Sequence, residues 1–150
     1  MTKHIIPFTY KPKIEAVQDG RCTQTIRHLG KIPRRPGDTA LLHGWEAKPY
    51  YSHWDWRKDV QLSWVADVVV IKEGIKTHDN PFDAHETRTA IDYPNGKLGW
   101  IFEWNQLDWL AELDFIDPPT GVALGQVLIS KNSEIRKNGF MPAQIIRWLP

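Results

Sequence analysis

Cysteine is almost absent from this chain: Cys22 stands alone in 150 residues. A single thiol excludes an internal disulfide framework and any multi-cysteine zinc site, and it fits a reducing compartment. Long apolar runs are missing as well. No stretch approaches the roughly 20 residues that span a bilayer. The opening MTKHIIPFTY lacks the apolar segment and small-residue cleavage site of a signal peptide. The expectation is a soluble, cytoplasmic protein with no membrane partner. The six histidines, at 4, 28, 43, 53, 78 and 85, include no pair at the helical spacing of metal sites. Neither a phosphate-cradling glycine loop nor a G-x-S-x-G elbow occurs, so no metal and no cofactor is implied. Repeats, low-complexity tracts and interdomain linkers are lacking too, and the length suits one domain with a core of its own.

What is there begins with charge. The net value of +1 hides an asymmetry: residues 1–37 hold eight basic and two acidic side chains, for +6, and the remainder carries −5. A basic N-terminal side points to an anionic partner, because phosphate binding follows local charge. Solvated loops whose cations pair with acids elsewhere give the same count.

Along the chain, His4 to Phe8 reads as a short strand. Tyr10 to Asp19 changes period, with Ile14 and Val17 three apart, Pro12 tolerated in the first turn and Gly20 stopping the helix. In GRCTQTIRHLG, residues 20–30, the alternation puts Thr23, Thr25 and Arg27 on one face and Gln24 and Ile26 on the other. Two hydroxyls and a guanidinium on one face make a poor core strand and a good pocket wall. PRRPGD, 33–38, carrying Arg34 and Arg35, is a turn before a strand over Thr39 to His43. Residues 43–59 read as an aromatic-rich excursion, Gln61 to Ile71 as a strand and 78–86 as a loop. Pro94-Asn95-Gly96 signals a hairpin. Trp104, Leu107, Leu110 and Ala111 fall at helical spacing, with Asp114 ending that face. Pro118 and Pro119 open a further helix through Ile129, and Phe140 to Trp148 closes the chain as a strand. This order is not a βαβ alternation. It suits an α+β fold, a small, mainly antiparallel β-barrel with helices at its openings. Its expected core is Ile26, Leu41, Val65, Val69, Ile145 and the Trp104/Leu107 helix face.

Three features bear on chemistry. Cys22 reads either as a small core filler or as a nucleophile. Of the eight tryptophans, Trp54 and Trp56 alternate in a charged segment, where their rings either stack on bases or staple the excursion, 46–58, to the fold as a flap beside a cleft. Asp114 becomes a general base if it is held near Thr25.

QDGRCTQTIR, the PGD turn before an apolar strand and the terminal AQIIRW together resemble the ASCH domain family, over essentially the whole chain with 43–59 as an insertion. The resemblance implies a barrel related to the PUA domain of RNA-modification proteins. Its cleft would bind nucleic acid or nucleosides and be lined by Thr25 and Arg27, with Arg21 at the rim and Thr23, Arg34, Arg35, Trp54 and Trp56 as further contacts. The partner it implies is single-stranded nucleic acid or a nucleoside. Some relatives are small amidohydrolases that remove an acetyl group from acetylcytidine, with a lysine, a threonine and a glutamate in the cleft. By that register Thr25 is the threonine, Asp114 stands for the acid, and Cys22 falls at the lysine position. A neutral thiol in place of an ammonium leaves Thr25 without its activating neighbour, so a binding module with little hydrolysis is the expectation.

Overall fold

The computed structural model describes residues 2–45, 53–77, 89–92 and 98–150. It is a mixed α+β fold organised around one long strand. β4, Trp56–Ile71, pairs antiparallel with β3, Thr39–Gly44, through its first six residues. Its second half pairs with β8, Phe140–Trp148, after a register shift between Leu62 and Trp64. That irregularity lets a single strand serve two directions of the sheet.

On the β3 side the sheet ends at β1, Lys3–Pro7, which pairs parallel with β3. On the other side β4 passes to β5, Gly74–Thr77, then to β7, Leu98–Glu103, and β6, Thr89–Asp92. β2, Gln24–His28, lies on β8. The path is open, with β2 and β8 branching from β4. The hairpin read around 94–96 therefore has both arms in place, and its turn, like the 78–86 loop and residues 46–52 of the 43–59 excursion, lies outside the described residues. Trp56 is a correction to that excursion: it opposes Gly44 in the β3–β4 ladder and belongs to the sheet.

Among the described residues four helices cover the sheet. α1, Lys11–Gln18, follows β1, has Pro12 in its first turn and hands over to Gly20 at φ +85°, a conformation glycine adopts without strain. A 3-10 turn, Trp104–Gln106, precedes α2, Asp108–Leu113. α3, Gly121–Lys131, is capped by the Thr120 hydroxyl, and α4, Ser133–Asn138, ends at Gly139. α4 and β5 are not signalled by the sequence reading, both being short.

Two apolar clusters result. One joins β4, β5, β7 and β8 to α2, α3 and α4; the other joins β1, α1, β3 and the first half of β4 around Phe8, Leu42 and Trp148. Ile26, Ile145, Trp104 and Leu107 are buried as expected. Leu41, Val65 and Val69 are only half-buried, and their neighbours Leu42, Ala66, Val68 and Val70 face the core instead. The error is a phase slip of one, easy to make where apolar residues run consecutively, as in Leu41-Leu42 and Val68-Val69-Val70. None of the helices among the described residues is long and apolar enough to cross a membrane.

Candidate functional site

The end of β1, the start of α1, β2, the end of α2 and the end of α3 meet around a cleft of about 320 Å³. Thr25 and Arg27 enter it from β2. They alternate correctly, and Arg27 Nε donates to Thr25 Oγ1 at 3.0 Å. The Arg27 guanidinium lies 4.7 Å from the centre of the Phe8 ring, a cation–π contact that fixes its side chain against the wall.

Asp114 enters from the opposite side. Leu110 and Ala111 are buried on the same face of α2, and Asp114 follows them at the helical interval, so the face that closes the core also carries the acid into the cleft. Phe115 then turns the chain at φ +54°. The Asp114 carboxylate is buried and pairs with Lys13 Nζ at 3.0 Å, both side chains being under a tenth exposed. Burial pushes its pKa above the usual carboxylate value; the Lys13 ammonium and its hydrogen bond, the Gln24 amide at 3.4 Å and the Arg27 charge pull it only part of the way back.

Lys13 is the residue that sequence reasoning missed. The signal was present: Lys13, Ala16 and Val17 form the buried face of α1, at intervals of three and four. Reading the face from Ile14 and Val17 displaced it by one position and left the lysine looking solvated. Lys131 completes the cleft from the last turn of α3. Its ammonium donates to Thr9 Oγ1 at 3.3 Å and lies 5.2 Å from the Tyr10 ring centre. Burial, then the charges of Arg27 and Lys13, hold its pKa below the usual lysine value. Three cations and one carboxylate thus line a single cavity, with Lys13 and Asp114 buried at its base, a concentration of titratable groups of the kind functional sites show.

Cys22 is elsewhere. It is fully buried in the apolar cluster under α1, its thiol donating to the carbonyls of Gln24 and Leu113, and burial pushes its pKa up. A neutral, inaccessible thiol is a core filler.

The other residues separate. Arg21 is exposed, bound to Asp19 by its own Nε, and with Thr23 it faces a second depression on the far side of Gln24. Thr23 precedes β2, which explains why it does not share the Thr25–Arg27 face. Arg34 Nη1 donates to the carbonyl of His28, and its backbone N–H donates to Gln144 Oε1. Arg35 N–H donates to Asp38 in the turn that Gly37 closes at φ +92°. Arg34 therefore stitches the 33–38 turn to the sheet and Arg35 braces the turn itself, and neither lines the cleft. Trp54 stacks on the His43 ring at 3.8 Å, and Trp56 packs on Phe8 at 6.1 Å. The two indoles pack on Phe8 and His43 at the β3–β4 strand end. No cluster of three metal-ligating side chains occurs among the described residues.

No family model matches the chain, no curated protein matches it, and no solved structure does.

Proposed function

We propose that the cleft binds a nucleoside, or one everted base of a single-stranded nucleic acid, in an ASCH-like domain of the PUA-type barrel class. The observation that carries the reading is the convergence of Thr25, Arg27, Lys13 and Asp114 in one cavity of about 320 Å³. That volume is at the small end of ligand pockets, which run from about 300 Å³ upward, and suits one nucleoside unit better than a stretch of several. A hydroxyl that donates and accepts, a carboxylate that accepts and cations that donate supply both halves of base-edge and sugar recognition. The basic N-terminal side of the chain is consistent with phosphates flanking the base.

A second reading has a specific observation in its favour. Lys13 restores the lysine, threonine and acid set of the acetylcytidine amidohydrolases, which Cys22 at the matched position had put out of reach. Arg27 Nε donates to Thr25 Oγ1, which leaves the hydroxyl proton for a base. Asp114, whose carboxyl burial holds above its ordinary range, is closer to a neutral-pH base than a solvated aspartate is. In such a reaction Thr25 Oγ1 bonds to the acetyl carbonyl carbon as its proton passes to the carboxylate. The cytosine amine then leaves with that proton, and water cleaves the resulting ester.

Calorimetric titration with cytidine and chromatographic assay of N4-acetylcytidine separate the two readings. Binding of cytidine that Arg27→Ala and Thr25→Val weaken, with no acetate released, supports the binding module. Acetate release abolished by Thr25→Val and by Lys13→Met promotes the hydrolase. No binding of either compound removes both.

A further inference from the structure

Behind the cleft, across the Gln24 side chain, lies a second depression of about 310 Å³ lined in part by Arg21, Thr23, Gln24, Glu112, Phe115 and Arg147. Nothing in the reading of the cleft uses it. One of its lining residues is Arg147, on β8 directly opposite Gln24 of β2.

Two contacts hold the guanidinium in place. Its Nε donates to Gln24 Oε1 at 2.9 Å, and its plane sits 4.3 Å from the centre of the Trp64 ring. Fixing a planar fork in advance lowers the entropy lost when the fork engages a ligand. None of the ion pairs among the described residues includes Arg147. The side chain is half-buried, and burial alone is enough to hold its pKa below the usual arginine value. A partly desolvated guanidinium without a carboxylate, set in a cavity, is a site short of an anion. The Thr23 hydroxyl and the Arg21 guanidinium, 5.8 Å from the Phe115 ring centre, line the same depression. Glu112 is exposed there and opposes an anion without pairing to Arg147.

We propose that this groove is a phosphate-binding site, with Arg147 as its fixed fork, Thr23 as a hydroxyl donor and Arg21 as a second cation at its edge. The ligand chemistry is a phosphate mono- or diester, whether a free phosphate ester or the backbone of a nucleic-acid strand. The proposal does not rest on the nucleoside reading of the cleft: no residue lines both cavities, though Gln24 hydrogen-bonds to Asp114 at their boundary.

The test is an amide chemical-shift titration of the whole protein with inorganic phosphate, in a buffer free of other multivalent anions. Saturable shifts at Thr23, Gln24 and Arg147 are expected, with affinity falling about tenfold or more in Arg147→Gln, the usual scale for losing charged hydrogen bonds. Arg147→Lys keeps the cation on β8 and should recover only part of the loss, because the fork is gone. Arg21→Gln, at an exposed position that cannot unfold the protein, should weaken binding by a smaller factor, and Glu112→Gln should strengthen it. Two further arms identify the source. A single-stranded oligonucleotide that displaces phosphate from these amides assigns the groove to a strand backbone, and phosphate binding without such competition assigns it to a free phosphate ester. A cytidine titration, which carries no phosphate, reports on the cleft alone. Absence of saturable shifts in the groove, or equal phosphate affinity in the protein and in both Arg147→Gln and Arg21→Gln, overturns the proposal.

Discussion

The cleft and the groove meet at the Gln24–Asp114 hydrogen bond and are built from the same residue types, yet their charge is balanced differently. In the cleft a buried carboxylate answers a buried ammonium, Asp114 to Lys13 at 3.0 Å. In the groove the half-buried guanidinium of Arg147 has a neutral amide and an indole for company. Gln24 serves both, giving its amide N–H to Asp114 and its carbonyl oxygen to Arg147. The contrast teaches what each is fitted to receive. The cleft holds an internal acid–ammonium pair with Arg27 and Lys131 beside it, so it offers a polar ligand both an acid and cations for hydrogen bonding and proton movement. A site with an unanswered cation takes an anion.

Breaking the internal pairing of the cleft should have the largest effect. Asp114→Ala strands a buried ammonium and is expected to cost about 3–5 kcal/mol in urea unfolding. The double variant Lys13→Met/Asp114→Leu should recover most of that loss, because a well-packed apolar pair substitutes for a buried ion pair with little penalty. If the double variant is as unstable as the single one, the pair is not what the fold depends on there.

Cutting the link between the two sites comes next. Gln24→Leu removes the acceptor of Arg147 Nε and a donor to Asp114 at once, and a loss of about 1–3 kcal/mol is expected for the stranded partners. A variant as stable as the parent would mean that water replaces the amide on both sides.

The pH dependence sharpens the contrast further. The folded pKa of Asp114 is raised above the ordinary 3.8, so between these two values the folded state holds a proton that the unfolded chain has given up. The stability this group contributes is full below pH 3.8 and is lost as pH rises through the folded value. Asp114→Asn should flatten that slope in a series of thermal melts, and an unchanged slope would place the titrating group elsewhere.

The smallest effect is expected from the exposed counterpart of the buried pair. Lys3 Nζ and Asp59 Oδ1 stand 3.4 Å apart with most of both side chains in water, and Lys3→Ala should change stability by no more than about 1 kcal/mol. A larger loss would mean that geometry alone, without burial, decides what such pairs contribute.

Much of the fold was legible because local rules and tertiary context agree. The strands over 39–44 and 140–148, and α1 with its proline start and glycine stop, lie close to where the pattern puts them. Thr25, Arg27 and Asp114 were legible as one site because strand alternation and a helix face each aim polar groups at a boundary of the core. Lys13 was not. A lysine on an amphipathic helix is ordinarily solvated, and only the partner on α2, 101 residues away in the chain, explains its burial. For Cys22 the two readings, core filler and nucleophile, are separated only by the packing against α1 that buries it. Trp56 belonged to a strand hidden in an aromatic-rich stretch without clear period. The groove was invisible to pattern reading because Arg147 and Gln24 become neighbours only through the β2–β8 pairing.

The most direct test of the cleft is an amide chemical-shift titration with cytidine. Saturable shifts confined to the segment from Thr9 to Lys13, to Thr25–His28 and to the turn at Asp114, and lost in Arg27→Ala, are the predicted result. Shifts at Thr23 and Arg147 with the cleft unmoved, or no saturable shifts at all, would contradict it.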